Sequence, residues 1–145
     1  MKLGRFAFPF VCLALAACEQ PFEAETVRLV NDTAQQVIVT AGDDVEVIYA
    51  GRAAEFAFPD PEGVNGGELL IETKGCKFIY QLPWPAQDYP WRGISGGLLA
   101  LQMEGDFKLY AIRPSAGRPE RFTDFSKLQT GDFPVAPEQQ DCERP

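Results

Sequence analysis

Between Thr26 and Ile112 the chain divides into eight short runs of alternating or β-branched apolar residues. This spacing limits the folds open to it more than any other feature. The runs cover 26–30, 36–40, 45–49, 52–58, 68–73, 76–82, 98–103 and 107–112. Turn formers separate them: Asn31-Asp32-Thr33, Gly42-Asp43-Asp44, Gly51, Lys74-Gly75 and Glu104-Gly105-Asp106. Gly, Asn and Asp accept the tight backbone conformations that reverse a chain. Side chains alternate between the two faces of a strand, so each run offers one apolar face that only a second layer can cover. Short strands at this interval predict an all-β domain, a small antiparallel sandwich or barrel. Within the run at Cys76, alternation puts Cys76, Phe78 and Tyr80 on one face and Lys77 and Ile79 on the other. Only 120–128 reads as a short helix. The end of the chain, 131–145, holds Pro134, Pro137 and Pro145 and reads as an irregular tail. The expected organisation is a β domain over 26–112 and an irregular C-terminal segment, 113–145, packed on it.

Several chemistries are disfavoured by what the chain lacks. It has no histidine, the commonest general base and transition-metal ligand. Gly93-Ile94-Ser95-Gly96-Gly97 matches the G-x-S-x-G string of hydrolase elbows. That motif needs a strand-to-helix turn and a histidine to take the serine proton, so the segment reads as a glycine loop. From Asp60, a calcium-type loop would need Gly at its sixth place and Glu at its twelfth; Gly66 comes one place late and Ile71 stands at the twelfth. No metal and no cofactor is expected. Asn31-Asp32-Thr33 spells a glycosylation sequon with no reason to expect its use. Carboxylates are plentiful, but a carboxylate-dependent enzyme needs two of them converging across a cleft, which a sequence does not reveal. Between Glu19 and Glu72 there are twelve acids and only Arg28 and Arg52 as bases. Such a balance argues against nucleic acid, whose phosphates demand Lys and Arg, and against an electrostatic grip on anionic lipid.

The first residues carry an address. Lys2 and Arg5 precede an apolar stretch, 6–17, broken only by Pro9. It is shorter than the about 20 residues a spanning helix needs, and small residues end it, which describes a secretory signal peptide. Leu15-Ala16-Ala17-Cys18 resembles the lipobox of bacterial lipoproteins. The resemblance covers only this region. It implies cleavage before Cys18, a diacylglyceryl group on its sulfur and acylation of the new amino end with chains such as palmitate. Residues 1–17 would then be signal, and 18–25 a short acidic lipidated tether. Two or more acyl chains make a stable anchor, since each buried CH₂ contributes about 0.8 kcal/mol. Glu19, in place of the Asp that often retains such proteins at the inner membrane, favours the outer membrane, on its periplasmic side. Removing 1–17 shifts the formal charge from −8 to about −10.

Cys12 would leave with the signal and Cys18 would carry lipid. Cys76 and Cys142 remain, and in an oxidising compartment they either join or persist as separate thiols; joining is expected. The segment 80–92 holds both tryptophans, two tyrosines and three prolines. Prolines stiffen it, so its aromatic groups would lose little entropy on engaging a partner. Trp84, Tyr89, Trp91 and Arg92 are therefore candidate binding residues for an envelope protein, peptide or glycan. The competing reading is a plug that closes one end of the domain. Arg113, Arg118 and Arg121 form a lesser candidate group. The function expected is a non-catalytic binding or structural module anchored to the membrane. The alternative is a carboxylate-dependent enzyme or inhibitor-like factor acting on envelope polymers.

Overall fold

A computed structural model describes residues 22–58 and 67–143. The signal segment, Cys18 and nearly all of the calcium-like stretch lie outside the described residues. Nine strands are described: β1 (Thr26–Asn31), β2 (Val37–Ala41), β3 (Asp44–Ile48), β4 (Ala53–Ala57), β5 (Glu68–Thr73), β6 (Cys76–Gln81), β7 (Leu98–Met103), β8 (Leu109–Ala111) and β9 (Gln139–Cys142). They form two sheets, ordered β4-β1-β7-β8 and β3-β2-β5-β6-β9. The chain is an all-β sandwich, and the sheets do not close into a barrel. One helical turn, α1 (Phe122–Phe125), runs into a 3₁₀ turn at Ser126–Leu128.

Between the sheets lies one core that includes Val27, Leu29, Val37, Val39, Leu69, Ile71, Phe78, Tyr80, Leu99 and Leu101. The face assignment in β6 holds: Phe78 and Tyr80 are buried, whereas Lys77 is exposed and Ile79 half-buried. The first sheet is covered on its outer side as well. Val30, Ala100, Tyr110, Ile112 and Phe125 form a second cluster there, beneath the segment that carries α1. Gln102, fully buried, fastens that segment: its Nε2 donates to the Glu120 carbonyl and its Oε1 accepts from the Glu120 N–H. Burial on both faces explains why Leu98–Met103 is almost continuously apolar, whereas strands of the second sheet alternate.

The expected antiparallel sandwich forms, and within its largely antiparallel sheets β1 and β7 run parallel in register from Thr26↔Leu98 to Asn31↔Met103. Two expectations need correction. The run expected from 107 begins as a strand only at Leu109. Phe107 has φ +57°, turned out of the extended region, and its place is fixed from two sides. Its ring stacks on Phe78 at 4.4 Å, and its carbonyl accepts the Tyr80 hydroxyl at 2.7 Å. Finally, the C-terminal tail is not wholly irregular. Gln139–Cys142 adds β9 to the edge of β6, with Cys76 opposite Cys142. Backbone bonding at the neighbouring Gly75–Glu143 position leaves that pair where antiparallel strands come closest, and the Cα atoms are 4.0 Å apart. The two cysteines form a disulfide.

The sequon has a structural role. Asn31 is fully buried, and its amide donates to the Gln35 and Ile48 carbonyls while its oxygen accepts from Thr33. It ties the end of β1 to the end of β3.

Candidate functional site

The aromatic stretch leaves β6 and becomes a series of turns with its rings divided between two tasks. Tyr89 is buried, and its hydroxyl donates to the Ile112 carbonyl at 2.9 Å and accepts from the Ala100 N–H at 3.4 Å. Phe22 stacks on it, with centroids 5.8 Å apart. Trp91 meets it edge-on and is half-buried between the two apolar clusters. Here the plug reading applies: Tyr89 is a core residue and offers no surface to a partner. Arg92 is exposed, but its guanidinium donates to the Gln87 carbonyl and clamps its own loop. Ser95 is buried, its Oγ donating to the Arg92 carbonyl at 3.3 Å within turns rather than at a strand-to-helix elbow.

Trp84 stands apart from these residues. It is half-buried, its ring packs against Phe58 with centroids 4.8 Å apart and planes tilted by 35°, and it lines a cleft of about 550 Å³. Gln81 and Pro83 line it from the same stretch, and Asp132, Pro134 and Glu138 line it from the tail as a second wall. The second wall is held against the aromatic stretch. Thr130 Oγ1 donates to the Asp88 carbonyl at 2.8 Å, and Gly131, at φ +55°, lies so close that a Cβ there would sit 1.8 Å from the Asp88 carboxylate. The Leu109–Val135 backbone pair fixes the wall to β8. Asp132 and Glu138 are exposed and engage no cation among the described residues. The cleft therefore joins an indole ring to two carboxylates that form no ion pair among the described residues, a combination that suits a ligand with an apolar side and cationic or multiple hydrogen-donor groups.

Of the four residues expected to bind, only Trp84 lines the cleft. Asp132, Glu138 and Gln81 were not foreseen. The tail's prolines signalled irregular backbone, but nothing local tells that 131–138 would face residue 84.

Arg113 is ion-paired with Glu120 at 2.9 Å, and Arg118 and Arg121 do not enter the cleft. Another acidic group lies elsewhere: partial burial pushes the Glu104 carboxyl up from its usual value, the Gln102 amide opposes this, and the neighbouring Asp32 and Asp106 add to it. It does not line the Trp84 cleft. Among the described residues no three His, Cys, Asp or Glu side chains gather to hold a metal, and no helix is long and apolar enough to cross a membrane. Comparison with protein-family models, with curated proteins and with solved structures gave no match to this chain.

Proposed function

We propose that the chain is a lipid-anchored binding module of the bacterial cell envelope, attached through Cys18 and engaging its ligand in the cleft at Trp84. The cleft's chemistry carries the binding reading: Trp84 lines it together with Asp132 and Glu138, which form no ion pair among the described residues. A peptide with Lys or Arg side chains, or an amino-bearing glycan, matches it. The anchor rests on Leu15-Ala16-Ala17-Cys18, and Glu19 favours the outer membrane, periplasmic side. From Phe22 onward the chain is packed on the domain, so only residues 19–21 separate it from the lipidated cysteine. Their reach is at most about 3.6 Å per residue, which keeps the domain close to the bilayer surface. The alternative is a carboxylate-dependent enzyme or inhibitor-like factor acting on envelope polymers, for which Asp132 and Glu138 would be the carboxylates of the cleft.

Mass spectrometry of the protein isolated from membranes should find an acylated Cys18 as the first residue, and Cys18→Ser should leave uncut precursor or release protein from the membrane. An unmodified amino end at another position would overturn the anchor. Binding is tested by retention of envelope peptides and glycans on the full-length chain. Trp84→Ala should abolish retention. Because the ring is only half-buried, the domain should stay folded at a cost of about 2 kcal/mol, below the 3–5 kcal/mol of a fully buried tryptophan. Trp91→Ala should keep the ligand. Equal retention by wild type and Trp84→Ala would remove the cleft from the function.

A further inference from the structure

The four sheet edges are finished in different ways. At β8 the Val135 pair extends the ladder, and the Gln129 amide imitates a strand by donating to the Ala111 carbonyl at 2.8 Å and accepting from its N–H at 2.9 Å. The β9 edge is short, polar and stapled by the disulfide. The β4 edge shows alanine methyls around Glu55, which is paired with Arg28. Only β3 carries large apolar side chains into solvent: Val45, Val47 and, just beyond it, Tyr49 are 61%, 46% and 62% exposed. Natural proteins usually protect such an edge with lysine, proline or a bulge, because its free N–H and C=O groups template another strand.

Backbone geometry defines what β3 offers. Ala41 pairs with Asp44 across a two-residue turn in which Gly42 has φ +60°. That turn makes Ala41–Asp44 a hydrogen-bonded pair, and alternation makes Val39–Glu46 another. The N–H and C=O groups of Val45 and Val47 therefore point away from β2. Their side chains lie on the outer face of the sheet, beside Thr40 and Ile38, and the row continues through half-buried Leu70 and Ile79. A hollow of about 420 Å³ opens over Ile38 and Glu72.

We infer that β3 is a docking edge for an extended segment of another protein, in which apolar residues alternate with basic ones. The apolar residues would cover Val45, Val47 and Ile38. The basic ones would meet Asp43, Asp44 and Glu46, on a stretch, 29–51, that contains no Lys or Arg. The same charges disfavour a second copy: antiparallel self-pairing centred on Glu46 sets the two Glu46 side chains opposite each other, a destabilising arrangement. This edge is separate from the Trp84 cleft and does not depend on the reading of that cleft.

The test is hydrogen exchange of the Val45 and Val47 amides in the full-length chain in mild detergent, with a peptide alternating lysine and valine and with one alternating glutamate and valine. The basic peptide should slow both amides by about tenfold or more, and the acidic one should not. Val47→Pro removes an outward N–H without breaking the β2 ladder, a position where an edge strand tolerates proline, and should abolish the protection while circular dichroism stays unchanged. Glu46→Lys should weaken it. No protection by the basic peptide, equal protection by both, or protection that appears in the chain alone as its concentration rises would each overturn the proposal, the last in favour of self-association.

Discussion

Raising the pH from 10 to 12 is expected to unfold the domain in a single step as its buried phenols ionise. Tyr80, Tyr89 and Tyr110 are all buried, and each hydroxyl donates a hydrogen bond, to the Phe107 carbonyl, the Ile112 carbonyl and the Asp106 carboxylate. Burial is the first cause that raises their pKa values, and Asp106 adds to it at Tyr110 and Tyr80. Tyr110 is pushed up to about 12, and the other two go further. Below the unfolded value of about 10 both states hold these protons, and stability does not depend on them. Above it the unfolded chain releases them while the folded chain keeps them, so stability is lost as pH rises toward the folded values. Each tyrosine costs about 1.4 kcal/mol per pH unit, and three together about 4 kcal/mol per unit. The two units from pH 10 to 12 therefore remove about 8 kcal/mol, which exhausts a domain in the lower part of the usual 5–15 kcal/mol range. Phenolate absorbance and circular dichroism, followed together, should change at the same pH. Ionisation of these three tyrosines with the sheet signal intact would show that they are less enclosed than their hydrogen bonds imply.

The same residues show why the strands were legible and the site was not. Alternation in Val37–Ala41 and Cys76–Gln81 is a local signal, because one face of each strand meets water and the other the core. It sets which side chains point inward, but not which strand lies alongside. The parallel β1–β7 pair joins residues about seventy positions apart and leaves no short-range trace. In Gln139–Cys142 every residue is polar except the cysteine, so no pattern marked it as a strand; backbone pairing and a covalent bond hold it. The aromatic stretch was conspicuous by composition, yet composition does not tell a ring that plugs from a ring that binds. Tyr89 is drawn inward by two backbone groups, on Ile112 and Ala100, that are distant in sequence. Trp84 acquires its cleft only when Asp132 and Glu138 arrive from the tail.

Loss of the Cys76–Cys142 bond should lower stability by about 4 kcal/mol, since it joins residues 66 apart and a closed loop of that length strongly restricts the unfolded chain. For a domain of this size the melting temperature should fall on the order of 10–20 °C. The effect should also be uneven. β9 buries no apolar side chain, and its burial pattern is exposed at every position except Cys142. Without the bond, only its backbone pairing with β6 opposes the entropy of the free tail. Residues 136–138 lead from the Leu109–Val135 pair into β9 and carry Glu138, so the Glu138 end of the acidic wall should loosen first. The double variant Cys76→Ala/Cys142→Ala should therefore lose exchange protection along β9 and lose ligand retention at temperatures where the amides of β1, β5 and β7 remain protected. Trp84 and Asp132 would still be in place, and retention would fail because Glu138 no longer lines the cleft with them. A variant that melts as the wild type does and keeps β9 protected would mean that pairing alone fixes the tail. A variant that unfolds throughout in one step would mean that the tail and the sandwich form a single cooperative unit, with no independent looseness at the cleft.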